Sequence, residues 1–145
     1  MSCVAREEGG VMYLFDTDII TNIFKKQPSP VLLARLSGTP RSSQHISTIT
    51  ISEIVYGARK SSRPRHHLDN LEKVLLPAVN IVGFDTRAAY VCGSLRARLE
   101  REGNPLALAD LEIAAIALAR DLVLVSGNVR HFNRISELRL ENWLE

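Results

Sequence analysis

Residues 11–15, VMYLF, are an apolar run of the length of a strand buried on both faces, and the run stops at a carboxylate, Asp16. Ile19, Ile20, Ile23 and Phe24 then recur at helical spacing, which predicts a helix over 17–26 ended by Gln27-Pro28-Ser29-Pro30. A short amphipathic helix over 31–36 closes at Ser37-Gly38. Residues 44–48 alternate as a second strand, and 50–60 read as a helix with Glu53 in its first turn. Residues 57–67, GARKSSRPRHH, read as a charged, mobile connection around Pro64. A helix over 68–76, a strand over 79–84 ending at Asp85, and a long helix over 86–102 follow, the last stopped by Gly103-Asn104-Pro105. Residues 106–120 are strongly helical, 122–125 form a fourth buried strand that stops at Ser126-Gly127-Asn128, and 138–140 form a short fifth. Strands alternate with helices throughout, which predicts an α/β fold: a single-domain, doubly wound parallel sheet of about five strands flanked by helices.

In such a sheet, ligands bind outside the carboxyl ends of the strands, and strand ends near the switch point converge on one crevice. Asp16 ends the first strand, so it stands either at a site or as the N-cap of the next helix. Glu53 opens the helix after strand two, Asp110 lies in the helix before strand four, and Asn128 follows strand four. Thr50-Ile51-Ser52-Glu53 is also a capping-box pattern, in which Glu53 would return a hydrogen bond to the Thr50 amide. Asp110 shares a helix face with Ile113, Ala114 and Ala117, the small apolar residues expected against the sheet. Burying an ionised carboxylate costs several kcal/mol unless it is paired or binds a metal, and a second buried acid at Asp16 favours a shared cation. Mg²⁺ or Mn²⁺ suits an all-oxygen set of one or two carboxylates, waters and a substrate phosphate. The matching chemistry is phosphodiester hydrolysis.

Composition narrows the picture without naming a substrate. A chain of 145 residues is expected to form one domain with a proper core. Eighteen Lys and Arg against sixteen Asp and Glu give net +2, too mild for the total to prove a nucleic-acid partner. Cys3 and Cys92 are far apart and form no metal-binding spacing. No apolar run approaches the length of a membrane span, and the first residues lack a signal peptide's apolar centre, so a cytoplasmic protein without membrane contact is expected. Residues 1–11 read as an extension in front of a domain over 12–145. The absence of GxxxxGK[ST] and GxGxxG leaves nucleoside triphosphate and dinucleotide binding without support.

Four segments in series carry a resemblance: YLFDTDIIT, ISTITISEIVYGA, LALADLEIAAIALARDLVLVSGNVRHF and LRLENW, spanning residues 12–143. In these the chain resembles PIN-domain ribonucleases, specifically the VapC toxins of type II toxin-antitoxin pairs. The resemblance implies a metal-dependent endoribonuclease in which Asp16, Glu53 and Asp110 match the metal-binding acids and Ser126 a hydroxyl beside them. The family's fourth acidic position is Asn128 here, a neutral oxygen donor for water or substrate. The resemblance also implies an RNA substrate, a homodimer and a small VapB-like antitoxin partner. Helices 31–36 and 68–76 would offer that partner an apolar groove, or are ordinary core helices.

Arg59, Arg65 and Arg130 would hold RNA phosphates at the rim of the crevice, or belong to solvated surface. Asp18 and Asp85 read as capping or turn residues, and Arg96, Arg98 and Arg101 as a solvated helix face. Two other functions compete. Asp16-Thr17-Asp18 resembles the opening of haloacid-dehalogenase-like phosphatases, but no lysine follows Lys73 and no Gly precedes an Asp, as that class requires. Alternatively, Asn128 marks a site that has lost catalysis in an RNA-binding protein.

Overall fold

The computed structural model describes residues 10–145; most of the extension expected over 1–11, with Cys3, lies outside them. The first strand, β1 (Tyr13–Phe15), leads into α1 (Thr17–Ile23) and α2 (Pro30–Ser37). A 3₁₀ turn then enters β2 (Gln44–Ser47), followed by α3 (Thr48–Lys60) and α4 (Pro64–Asp69). After β3 (Asn80–Val82) come α5 (Thr86–Arg101), α6 (Leu108–Arg120), β4 (Val123–Val125), α7 (Val129–Phe132) and β5 (Leu140–Glu141). All four pairings are parallel, in the order β3-β2-β1-β4-β5, so the expected doubly wound sheet is present among the described residues. The chain winds outward from β1 to β3, returns to β4, and winds outward again. The switch point therefore lies between β1 and β4.

Two cores flank this sheet because successive side chains of a strand point to opposite faces. Leu14 and Leu124 pack with α5 and α6, whereas Phe15, Ile46 and Val125 pack with α1, α2 and Trp143. The central strands β1 and β4 are packed on both sides, which is why their sequences read as unbroken apolar runs, whereas β2 and β3, towards the edge, carry polar residues. Helix α6 is buried on nearly every face, from Leu111 to Ala119, because it lies between the sheet and α5. Among the described residues no helix is long and apolar enough to cross a membrane.

Three expectations need correction. The basic stretch 57–67 is not a mobile connection: α3 continues to Lys60, and Pro64 opens α4 in its first turn, where its missing N–H costs nothing. From there the chain stays helical through a π-helical segment, Asn70–Leu75, and a 3₁₀ turn, Leu76–Ala78. The first helix ends at Ile23 rather than at residue 26, and Asn22 Oδ1 instead accepts the Ser29 amide at 2.8 Å. Arg98 is not merely solvated, since its guanidinium donates to both oxygens of Glu137 at 2.7 and 2.8 Å. Asp85 behaves as expected and caps α5 by accepting from the Ala88 amide at 2.9 Å.

Candidate active site

Asp16 is the N-cap of α1 and also reaches across the switch point. Its Oδ1 accepts from the Thr17 amide at 2.8 Å and caps α1, while Oδ2 accepts from the Ser126 hydroxyl at 2.8 Å across the switch point. Ser126, wholly buried at the end of β4, also accepts from the Asn128 amide at 2.9 Å. The β1–β4 register, with Phe15 beside Val125, sets Asp16 and Ser126 next to one another.

The capping box predicted at Thr50 does not form. Ser47 is the N-cap of α3 and accepts from the Thr50 amide at 3.1 Å, which leaves Glu53 beyond the first turn. Glu53 instead accepts from the Thr17 hydroxyl at 2.5 Å, and Thr17 and Thr50 pair through their hydroxyls at 3.0 Å. A hydroxyl has one proton to give, so with Thr17 donating to Glu53, Thr50 must donate to Thr17. This chain couples the second acid to the start of α1.

Asp18 does more than the capping or turn role expected of it. Its Oδ2 accepts from the Gly127 amide at 2.9 Å, and its Oδ1 is buried without a hydrogen-bond partner among the described residues. The contact is close: a Cβ on Gly127 would lie 2.9 Å from Asp18 Oδ2 and 2.6 Å from a methyl of Leu144, so only glycine fits there undisturbed. Asp110, in the first turn of α6, completes the group. Together Asp16, Asp18, Glu53 and Asp110 line one open cleft of about 590 Å³ at the carboxyl ends of β1 and β4.

Burial and mutual repulsion raise the proton affinity of these acids. Asp16 is pushed up to about 6, chiefly by burial, then by the Asp18 charge, against the opposing bonds from Ser126 and Thr17. Burial likewise raises Asp18, despite the Gly127 amide. Asp110 is raised by burial and by Glu53, with His131 partly offsetting both. Among the described residues no three acids, histidines or cysteines lie close enough to enclose an ion. An open oxygen-only set of this kind fits Mg²⁺ or Mn²⁺, which take few protein carboxylates and keep several waters. The unpartnered Asp18 oxygen is a ready acceptor for a cation or one of its waters.

Asn128 also lines the cleft; its Nδ2 lies 2.7 Å from His131 Nδ1, leaving Oδ1 as the atom available to the cleft. His131 Nδ1 is itself 4.0 Å from Asp110. Of the basic candidates, Arg59 and Arg130 are exposed, and Arg65 already pairs with Asp69 and Glu72 at 3.2 and 3.0 Å. Among the described residues the cation lining the cleft is Lys25, which carried no motif that singled it out in the sequence. Thr17 was not singled out, and Asp18 was assigned only a capping or turn role. Their signal was the polar triplet Asp16-Thr17-Asp18, each member of which finds a different partner.

The chain matches the PIN domain over residues 13–138. It is 33% identical over 132 residues to Ribonuclease VapC2 of Haemophilus influenzae, covering 91% of this chain and 98% of the relative. It is 36% identical to the tRNA(fMet)-specific endonuclease VapC of Salmonella typhimurium, covering 91% and 99%. Among solved structures, the DNA-bound VapBC complex from Salmonella typhimurium superposes with a TM-score of 0.85 at 34% identity, over 92% of this chain and 99% of the other. The PIN match spans β1 to β4 and every acid of the cleft, and the phosphatase reading loses its footing. The chain belongs to the PIN-domain family, and within it to the VapC ribonucleases.

Proposed function

We propose that this protein is the endoribonuclease toxin of a toxin-antitoxin pair and hydrolyses RNA phosphodiesters with a divalent cation, Mg²⁺ or Mn²⁺. The observation that carries the reading is the convergence of Asp16, Asp18, Glu53 and Asp110 on one cleft at the switch point. Asp16, Glu53 and Asp110 would hold the cation, one or two of them directly and the rest through its waters, with Asp18 beside them. When bound, the cation acidifies water and offsets charge on the departing oxygen.

The chain's own groups do the rest. Ser126 and the Thr17 amide keep Asp16 in one orientation, so it costs no rearrangement when substrate arrives. Glu53, with one oxygen held by Thr17, has the other free to orient a water toward phosphorus. The water oxygen forms the new bond to phosphorus as the bond to the ester oxygen breaks, and a proton ends on that leaving oxygen. Lys25, at the cleft wall, pairs with a substrate phosphate, and Asn128 Oδ1 accepts from water or a ribose hydroxyl without adding charge to the cluster. Arg59 and Arg130 extend phosphate contact along the rim.

Cleavage of a panel of RNAs, with Mg²⁺ or Mn²⁺ titrated and product ends mapped, tests this. Asp110→Asn and Glu53→Gln should each cut turnover by about 10²-fold or more while melting no lower than the unaltered protein. RNA binding without cleavage by the unaltered protein would support the RNA-binding alternative, and full activity in either variant would remove that residue from the mechanism.

The same reading includes a homodimer and a small VapB-like antitoxin. Val31 and Leu33 on α2 and Val74 on the π-helical segment are 43%, 44% and 55% exposed, although Leu32, Leu71 and Leu75 beside them are buried. These helices thus belong to the core and still present apolar surface of the kind that receives an amphipathic helix. Light scattering at micromolar concentration should report a dimer, and affinity purification from the native cell a small partner. A strict monomer that brings down nothing would overturn this part.

A further inference from the structure

A second cavity, of about 360 Å³, opens beside the acidic cleft. The two share Thr17, Thr21, Lys25 and Glu53 as walls, so the surface is continuous from one to the other. Their chemistry differs. Ile20, Phe24, Ile54 and Leu71 make the second cavity apolar, whereas His67 and Asn70 stand among its polar lining groups. The wall carrying Asn70 and Leu71 is the opening of the π-helical segment, a rare geometry that occurs often at functional sites because it displaces side chains from their α-helical positions.

The volume lies within the range of small-molecule sites, about 300–1,000 Å³, and the lining is of their kind: mostly apolar with a few polar groups that set orientation. The occupant must be flat or compact, apolar on its faces and polar at an edge. It must also connect, over a short distance, to a group held at the carboxylates. A nucleobase one sugar away from a phosphate has those properties. Single-stranded RNA is read in this way, by bases splayed out onto aromatic and apolar side chains and hydrogen-bonded along their edges. Lys25 lines both cavities, at the point where the connecting phosphate would pass.

We propose that this cavity receives an unstacked nucleobase adjoining the scissile phosphodiester and sets the enzyme's base preference. The inference rests on the endoribonuclease reading above. Asn70 offers both a donor and an acceptor to the base edge, and Phe24 and Ile54 contact its faces.

Gly57 supplies the test. It lines the cavity within α3, and a Cβ there would meet nothing within 4 Å, so a leucine has room to fill the space. Leucine is also the better helix former, so Gly57→Leu should melt no lower than the unaltered protein. Short single-stranded RNAs of randomised sequence, cut in Mg²⁺ and sequenced at their ends, report the base next to the cut. The unaltered protein should prefer one base there by about tenfold, the scale of one stacked or edge-bonded base. Gly57→Leu should abolish the preference, and Asn70→Ala should reduce it, with the larger change in KM. Preference kept in both variants, or no preference in the unaltered protein, overturns the proposal while leaving the endoribonuclease reading intact. Variants that lose only antitoxin binding would make the cavity a protein-docking site and overturn it too. If the unaltered protein cuts no RNA with any divalent cation, both readings fall together.

Discussion

Asp16→Asn is expected to yield a protein that is more stable than the natural one at neutral pH and inactive. Asp16 is 5% exposed, and burial with the neighbouring Asp18 charge raises its carboxyl from 3.8 to about 6. The folded protein therefore binds this proton more tightly than the unfolded chain does. The stability it contributes is complete below about pH 4 and is lost as pH rises through about 6, a difference of about 3 kcal/mol by pH 7. Asparagine cannot ionise, and its carbonyl can still accept from Ser126. Urea unfolding in a chelator should find the variant about 2–3 kcal/mol more stable at pH 7.5 and nearly equal to the natural protein at pH 4. Divalent cation should close the gap at pH 7.5 by stabilising the natural protein alone, because a ligand bound only by the folded state adds stability. Turnover should fall by about 10²-fold or more. A variant no more stable than its parent at pH 7.5 would contradict this account of the cluster.

Trp143→Ala should produce the largest loss of stability, about 3–5 kcal/mol, the range for truncating a buried large aromatic. Trp143 is fully buried, with its ring 4.8 Å from Tyr13 and 5.4 Å from Phe15 in edge-on contact. The Arg35 guanidinium lies 4.4 Å over the ring, and the indole N–H donates to Glu141 at 2.8 Å. Beyond the two-residue β5, the last residues have no regular structure, so this side chain is their main anchor. Leu144, beside it, lines the acidic cleft and accepts from the Ser29 hydroxyl at 2.9 Å through its carbonyl. Losing the anchor should therefore lower activity as well as melting temperature. Trp143→Phe, which keeps most of the contact area, should recover more than half of the stability in calorimetry. A loss below about 1 kcal/mol for alanine would show that the segment is held elsewhere.

The amino-acid sequence by itself determined the sheet and most of its helices. Residues 13–15 and 122–125 are apolar at every position because central parallel strands pack on both faces, and a pattern of that kind needs no knowledge of neighbours. Asp16, Glu53 and Asn128 were legible as candidates because each sits where an apolar pattern stops or a helix begins, and Asp110 because it shares a helix face with small apolar residues. What these side chains touch was decided only in three dimensions. Whether Glu53 closes a capping box depended on where β2 ended, and Ser47, not Thr50, took the cap. Asp110 could not be assigned by helix face alone, because α6 is buried nearly all round between the sheet and α5. Asp18 gained its role from the Gly127 amide, 109 positions away, and Lys25 from a cleft wall built by segments more than 100 residues apart. A local pattern reports which residues must leave water; polar residues, satisfied by either solvent or a partner, acquire a specific role only when the fold supplies that partner.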